Sequence, residues 1–140
     1  MKRFEVLEHT ADAKFRAYGK SMEEAFQNAA FAMVSLMYDP EMIAAEKIEK
    51  ITVHGNDMEQ LLYNFLEELL VLQDSKQFVM NSFVTNVRII KAKGKIRLDA
   101  EIIGDKIKDE YKVRPVVKAM TYAEMEISEK PLYVQFVVDI

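Results

Sequence analysis

Two short segments at opposite ends of the chain carry residue types that could bind a divalent metal. His9–Asp12 follows a short apolar stretch, and Asp139 and Ile140 end the 140-residue chain. If the fold brings these ends together, the side chains of Asp12 and Asp139 share one site with the main-chain carboxylate of Ile140. Two like charges about 4 Å apart near a protein surface repel by roughly 4 kcal/mol. Such a cluster persists only around a cation, and carboxylate oxygens favour Ca²⁺ or Mg²⁺ over a soft metal.

Each of these residues also has a purely structural interpretation. Asp12, placed in a turn, could cap neighbouring main-chain N–H groups. Asp139 could be an unrelated surface acid beside a frayed terminus. His9 could be a core histidine that hydrogen-bonds within the turn, and we favour that interpretation over metal ligation. The spacing alone leaves both the metal site and the structural alternative open.

Composition limits the class of protein. The chain has the size of one domain, half of its residues are hydrophobic and 30% are charged, which is typical of a globular protein. The net charge of −4 gives no bulk electrostatic attraction to RNA or DNA. The lack of cysteine excludes disulfides and thiolate metal sites. No apolar run could span a bilayer and no signal peptide is seen, so we expect a cytoplasmic protein without membrane contact.

Two helices are expected. Ser21 and Glu24 form a capping box, and apolar residues recur behind it at helical spacing until Pro40 stops the helix. A second helix begins near the cap candidate Asp57 and ends near Asp74. Its apolar face comprises Leu61, Leu62, Phe65, Leu66, Leu69 and Leu70.

Strands account for most of the remainder. They are expected over residues 3–8, 14–18, 48–54, 83–90, 95–102, 116–127 and 132–140, with a polar loop over 104–111. This order predicts one α+β domain over residues 1–140, with two helices packed on a mostly antiparallel sheet. It places Lys118 in the middle of the sixth strand. It also predicts that Ile140 is buried with Phe136 and Val138 on one face of the last strand, which leaves Asp139 on the other face.

Four motifs, in order along the whole chain, resemble the archease family. They are His9-Thr10-Ala11-Asp12 with residues 18–30, Phe65-Leu66-Glu67-Glu68-Leu69-Leu70, Val117-Lys118-Ala119-Met120-Thr121-Tyr122, and the terminal Val138-Asp139-Ile140. The chain departs from the pattern in two places. Ala123 stands where many members carry a histidine after the Thr-Tyr pair, and residues 105–115 are only loosely similar to the family's loop.

The resemblance implies an accessory protein with no catalytic residues of its own. Archeases assist the RtcB-type RNA ligase of tRNA splicing, which uses GTP and a divalent metal and forms a guanylylated intermediate. The family promotes this guanylylation and allows many turnovers. Its essential residues match Asp12, Lys118 and Asp139. Its metal ligands match Asp12, Asp139 and Ile140, with His9 beside them, and the metal implied is Ca²⁺, with Mg²⁺ or Mn²⁺ as alternatives.

A second class stays open, namely a small metal-dependent hydrolase of RNA or nucleotides. His9 would be its base, and Asp12 and Asp139 would be its metal ligands. No substrate-binding motif accompanies these residues, since the glycines are scattered and no serine has a local partner for covalent catalysis. Lys118 could neutralise the acids in an ion pair, or it could bind a phosphate as a point charge. The sequence does not decide between these two roles.

Overall fold

The computed structural model describes residues 2–7 and 12–140, with residues 82–85 described by their main chain only. Within this part of the chain there are seven strands, two α-helices and two short 3-10 helices over residues 40–42 and 109–111. The elements are β1 (Phe4–Leu7), β2 (Ala13–Tyr18), α1 (Met22–Val34), β3 (Lys47–Gly55), α2 (Met58–Lys76), β4 (Phe78–Ala92), β5 (Lys95–Lys106), β6 (Ala119–Glu129) and β7 (Leu132–Asp139).

The strands form two sheets that share one core. A four-stranded sheet has the order β1-β2-β7-β6 and a three-stranded sheet has the order β3-β5-β4, and every pair is antiparallel. The helix α1 contacts β1, β2, β7 and β4, whereas α2 contacts β3, β4, β5 and β6. The α+β prediction is confirmed, and the structure divides the expected strands between two sheets.

Local hydrogen bonds fix where the two helices begin. The side chain of Ser21 accepts from the N–H of Glu24 (3.2 Å), and Glu24 Oε1 accepts from the N–H of Lys20, one residue before the cap. The side chain of Asp57 accepts from the N–H of Gln60 at 2.8 Å. Both predicted starts are therefore confirmed. The expected end of α1 at Pro40 is wrong, because the helix already ends at Val34.

The predicted loop over residues 104–111 is wrong at its beginning, because β5 continues to Lys106. Gly104 allows this, since a Cβ at that position would lie 1.8 Å from the carbonyl oxygen of Val79 on the neighbouring β4. Asp105, which is only 3% exposed, accepts from the hydroxyl of Tyr111 at 2.6 Å and pairs with Lys108 at 3.1 Å. These partners make a buried carboxylate tolerable at the end of the strand.

Aromatic side chains pack the two central strands of the four-stranded sheet together and the two helices against each other. Phe15 on β2 and Phe136 on β7 are buried with ring centroids 5.4 Å apart. Phe26 on α1 and Phe65 on α2 are fully buried and stacked at 6.1 Å. Burying a side chain of this size contributes roughly 1.5–3 kcal/mol, so these contacts hold the sheet whose far end carries the candidate site. In the described part of the chain no helix is long and apolar enough to cross a membrane.

Candidate functional site

Strand register brings the two candidate acids to one end of the four-stranded sheet. The strand β7 lies between β2 and β6, and Ala13 of β2 pairs with Val138 of β7. Asp12 precedes Ala13 and Asp139 follows Val138, so the two acids lie on adjacent chain segments at the same end of the sheet. They are 127 positions apart in the sequence.

Lys118 lies at the same end of the sheet. Ala119, the first residue of β6, pairs with Asp139, and the N–H of Lys118 donates to the carbonyl of Asp139 at 2.7 Å. The expectation that Lys118 is in the middle of a strand is wrong, because β6 begins only at Ala119. The side chain of Lys118 is exposed, so its ammonium group is accessible to solvent at this end of the sheet.

The chain terminus is held by its main chain. Val138 is fully buried, whereas the side chain of Ile140 is 46% exposed. The expectation that Ile140 is buried with Phe136 and Val138 is therefore wrong, since β7 ends at Asp139 and the last residue extends beyond the sheet. The hydrogen bond from Lys118 to Asp139 fixes the residue before the terminus, and the α-carboxylate follows one residue later.

His9 lies outside the described residues, together with the rest of residues 8–11. Its expected place beside the acids is untouched by the structure and stays a prediction. Asp12 is the first residue described after this segment and is partly buried. The alternatives for His9, a core histidine or a neighbour of the metal, are therefore still both available.

The donor atoms at this sheet end fit a hard cation better than a soft one. Among residues 2–7 and 12–140, no group of three or more His, Cys, Asp or Glu side chains could hold a metal ion. The expected set contains two such side chains, Asp12 and Asp139, and takes its third carboxylate from the main chain at Ile140. Three carboxylates form an all-oxygen set of the kind that Ca²⁺ and Mg²⁺ prefer.

A bulge in β6 lies next to the site, and sequence reasoning missed it. The pairing of β6 with β7 shifts between Thr121 and Glu126, and Glu124 has a positive φ of 53°. The N–H of Ala123 donates to the hydroxyl of Thr121 at 3.1 Å. Ala123 therefore lies in an exposed bulge of the strand whose first residue pairs with Asp139. Bulges often redirect side chains near functional sites, and nothing in the sequence, such as a glycine at 124, marks this one.

A polar network on the outer face of the four-stranded sheet holds the bulge in place. Gln135 on β7 is only 2% exposed, and its amide nitrogen donates to the carbonyl of Glu124 (2.9 Å) and to Glu126 Oε2 (2.7 Å). Its amide oxygen accepts from Arg16 at 2.7 Å. Lys14 pairs with the carboxylate of Glu124 at 2.9 Å. Three strands are thus cross-linked by polar contacts beside the candidate site.

Comparison with known proteins shows the family of the chain. The chain matches the archease protein family over residues 4–140. The chain belongs to the archease family. Similar relatives include protein archease of Sulfurisphaera tokodaii, 39% identical over all of both chains, and protein archease of Pyrococcus abyssi, 40% identical over 94% of this chain and 92% of the relative. The solution structure of Methanobacterium thermoautotrophicum protein 1598 covers both chains completely, with a TM-score of 0.85 and 31% identity.

The family predicted from the four motifs is therefore confirmed, and so is the fold. Membership of the archease family supports a role as an accessory protein of an RNA ligase in RNA processing. The roles of Asp12, Lys118, Asp139 and Ile140 stay predictions from the resemblance. The structure adds that strand pairing puts these four positions at one end of one sheet.

Proposed function

We propose that the protein is an accessory activator of an RtcB-type RNA ligase in tRNA splicing. It promotes the GTP-dependent guanylylation of the ligase and allows the ligase many turnovers. The observation that supports this proposal most strongly is the strand register, which gathers Asp12, Asp139, the chain terminus and Lys118 at one sheet end. Membership of the archease family supports an RNA ligase as the partner. The protein itself carries no catalytic residue in this proposal and acts in the cytoplasm without membrane contact.

The carboxylates of Asp12, Asp139 and the terminal Ile140 would hold one divalent cation, preferably Ca²⁺, with Mg²⁺ or Mn²⁺ as alternatives. When bound, the cation supplies a concentrated positive charge that neutralises the three acids and attracts phosphate or carboxylate oxygens. The acids would fix its position, because Asp139 is held through its carbonyl by Lys118 and Asp12 precedes a strand paired with β7. His9 would lie next to these ligands.

Lys118 would contribute a second positive charge. Its exposed side chain is a compact, strongly hydrated point charge on a flexible stem, which suits contact with a phosphate. The guanylylation reaction transfers a nucleotide phosphate, so a cation beside the acids would help to position GTP or the ligase's nucleotide intermediate. With a net charge of −4, the protein is not expected to bind RNA strongly by itself.

The exposure of the site favours contact with a protein partner. The site is exposed at Lys118, Asp139 and Ile140. Enzymes that act on small molecules, by contrast, usually bind their substrates in concave, mostly apolar sites. An exposed sheet end can be covered by a partner, which would exclude water and strengthen the electrostatic interactions there.

Multiple-turnover ligation tests the proposal. A substoichiometric amount of RtcB-type ligase is incubated with RNA fragments, GTP and Mn²⁺, with and without the protein, and the joined RNA per ligase is measured. We expect the product to exceed one equivalent of ligase only when the protein is present, and the protein alone to leave RNA and GTP intact. Hydrolysis of RNA or GTP by the protein alone would favour the metal-dependent hydrolase instead. An unchanged ligase rate over a wide range of added protein would refute activation.

A further inference from the structure

A groove runs between the edge of the three-stranded sheet and α2, away from the candidate site. The strand β3 is an edge strand in the order β3-β5-β4, and α2 lies beside it. The groove has a volume of about 420 Å³ and is lined by Thr52, His54, Asn64, Glu67, Glu68 and Val71, among others. We call it the β3–α2 groove.

The edge of β3 presents main-chain groups toward this groove. The carbonyl of His54 accepts from the side-chain amide of Asn64 on α2 at 2.7 Å, which places it on the side away from β5. A strand residue directs its N–H and carbonyl to one side, and successive residues alternate. The main-chain groups of Thr52 and Lys50 therefore also face outward. The register of β3 with β5 is continuous from Lys47 to Gly55, so no bulge interrupts this edge, and an unbroken edge can pair with another strand.

Two side-chain contacts join β3 to α2 along this edge. The amide of Asn64 donates to the carbonyl of His54, and Lys76 pairs with Glu49 at 3.2 Å. A strand rises about 3.3 Å per residue, so the stretch of edge between Glu49 and His54 is long enough for an extended segment of about four or five residues.

Acidic side chains in the β3–α2 groove favour a basic binding partner. Residues 56–75, which include most of α2, contain five acidic residues and no Lys, Arg or His. The basic side chains nearby are His54 in the lining and Lys76, which pairs with Glu49. Glu67 and Glu68 line the groove, and Val71, which also lines it, is 46% exposed. A segment lying there would meet two carboxylates and one apolar side chain on its helix side, and backbone donors and acceptors on its strand side. Basic side chains mixed with apolar ones complement this surface.

We propose that the β3–α2 groove binds an extended, basic segment of a partner protein as an added strand on β3. Main-chain hydrogen bonds to Lys50 and Thr52 would supply affinity, and Glu67 and Glu68 would select Lys or Arg side chains. The proposal is independent of the proposed function, because it uses none of the residues at the carboxylate end of the four-stranded sheet.

Amide hydrogen exchange of the full-length protein tests the mode of binding. The probe is the blocked peptide acetyl-Lys-Val-Arg-Val-Lys-amide, and exchange is followed residue by residue by NMR. At saturation we expect hydrogen exchange at the amides of Lys50 and Thr52 to slow by about tenfold or more, because these outward N–H groups would be covered by the added strand and hydrogen-bonded to it. The amides of Ile51 and Val53, which face β5, should keep their rates. The acidic counterpart acetyl-Glu-Val-Asp-Val-Glu-amide should bind about tenfold more weakly or worse.

Variants separate charge selection from strand addition. The double change Glu67→Gln/Glu68→Gln should weaken binding of the basic peptide by about tenfold. The control variant Glu59→Gln/Asp74→Asn, which removes two charges from the same segment outside the groove, should leave the affinity unchanged. Thr52→Pro removes an outward N–H without taking a donor from the ladder and should also weaken binding.

Four results would overturn the proposal. The first is that the basic peptide leaves the exchange rates of the Lys50 and Thr52 amides unchanged, and the second is that the acidic peptide binds as tightly as the basic one. The third is that an RNA oligomer protects these amides in place of the peptide, and the fourth is that their protection rises with protein concentration alone. The last of these results would indicate a second copy of the chain on the same edge.

Discussion

Replacing Asp139 by alanine separates a functional role from a structural one. The side chain of Asp139 is exposed, and the hydrogen bond that its carbonyl accepts from Lys118 survives the substitution. Changes of exposed side chains usually alter the free energy of unfolding by less than about 0.5 kcal/mol. Removing one carboxylate from an acidic cluster also relieves repulsion in the metal-free protein. We therefore expect an unchanged or slightly raised Tm together with loss of ligase activation.

Phe65→Ala supplies the matched structural comparison. Phe65 is fully buried and stacks on Phe26 with ring centroids 6.1 Å apart. Removing a buried phenylalanine costs roughly 3–5 kcal/mol. For a domain of this size, 1 kcal/mol changes Tm by about 3–4 °C. The variant should therefore melt roughly 9–20 °C below the parent, yet it should still activate the ligase at temperatures where it remains folded.

Differential scanning calorimetry and the ligation assay, run on the same preparations, decide the matter. Asp139→Ala should melt within about 2 °C of the parent and give no activation, while Phe65→Ala should give the opposite pattern. If Asp139→Ala melts at as low a temperature as Phe65→Ala, Asp139 is a structural residue and its assignment to the site is wrong.

Three further predictions concern the site and the fold. Lys118→Ala and Asp12→Ala should each abolish activation and leave the melting curve by circular dichroism near that of the parent. The hydroxyl of Tyr111 lowers the pKa of Asp105. The stability gained from this pair is therefore complete above the unfolded pKa of about 3.9 and is lost as the pH falls through the lower folded pKa. Tyr111→Phe should lower the free energy of unfolding by about 1.5–3 kcal/mol in urea denaturation at pH 7, and this loss should be smaller at pH 3. A C-terminal extension should weaken Ca²⁺ binding in calorimetric titration by removing the carboxylate of Ile140, and an N-terminal tag should not; equal affinities would remove Ile140 from the site.

Features that depend on a few neighbouring residues could be predicted from the sequence. The caps at Ser21 and Asp57 are hydrogen bonds within three residues, so the local pattern contains both partners. Alternation of apolar and polar residues predicted the hairpin of β4 and β5, although not its full length. The extension of β5 past Gly104 depends on the approach of Val79 on another strand, and no local pattern contains that information.

The candidate site shows the same division. Residue types and spacing suggested that Asp12 and Asp139 could share a metal, but only the family resemblance chose this over two unrelated acids. Their proximity arises from the pairing of β2 with β7, which joins the two ends of the chain and is a property of the whole sheet. The bulge at Glu124 was also missed, because a non-glycine residue with a positive φ has no reliable signature in a single sequence.

Formation of the guanylylated ligase is the most direct test of the central claim. Labelled GTP is mixed with the RtcB-type ligase and Mn²⁺, and the label bound covalently to the ligase is followed over time, with no protein, with the parent protein and with Asp139→Ala. We expect the parent protein to accelerate labelling and Asp139→Ala to give the rate of the ligase alone. Equal rates with and without the parent protein would contradict activation, and acceleration by Asp139→Ala equal to that by the parent would contradict the role of the carboxylate end.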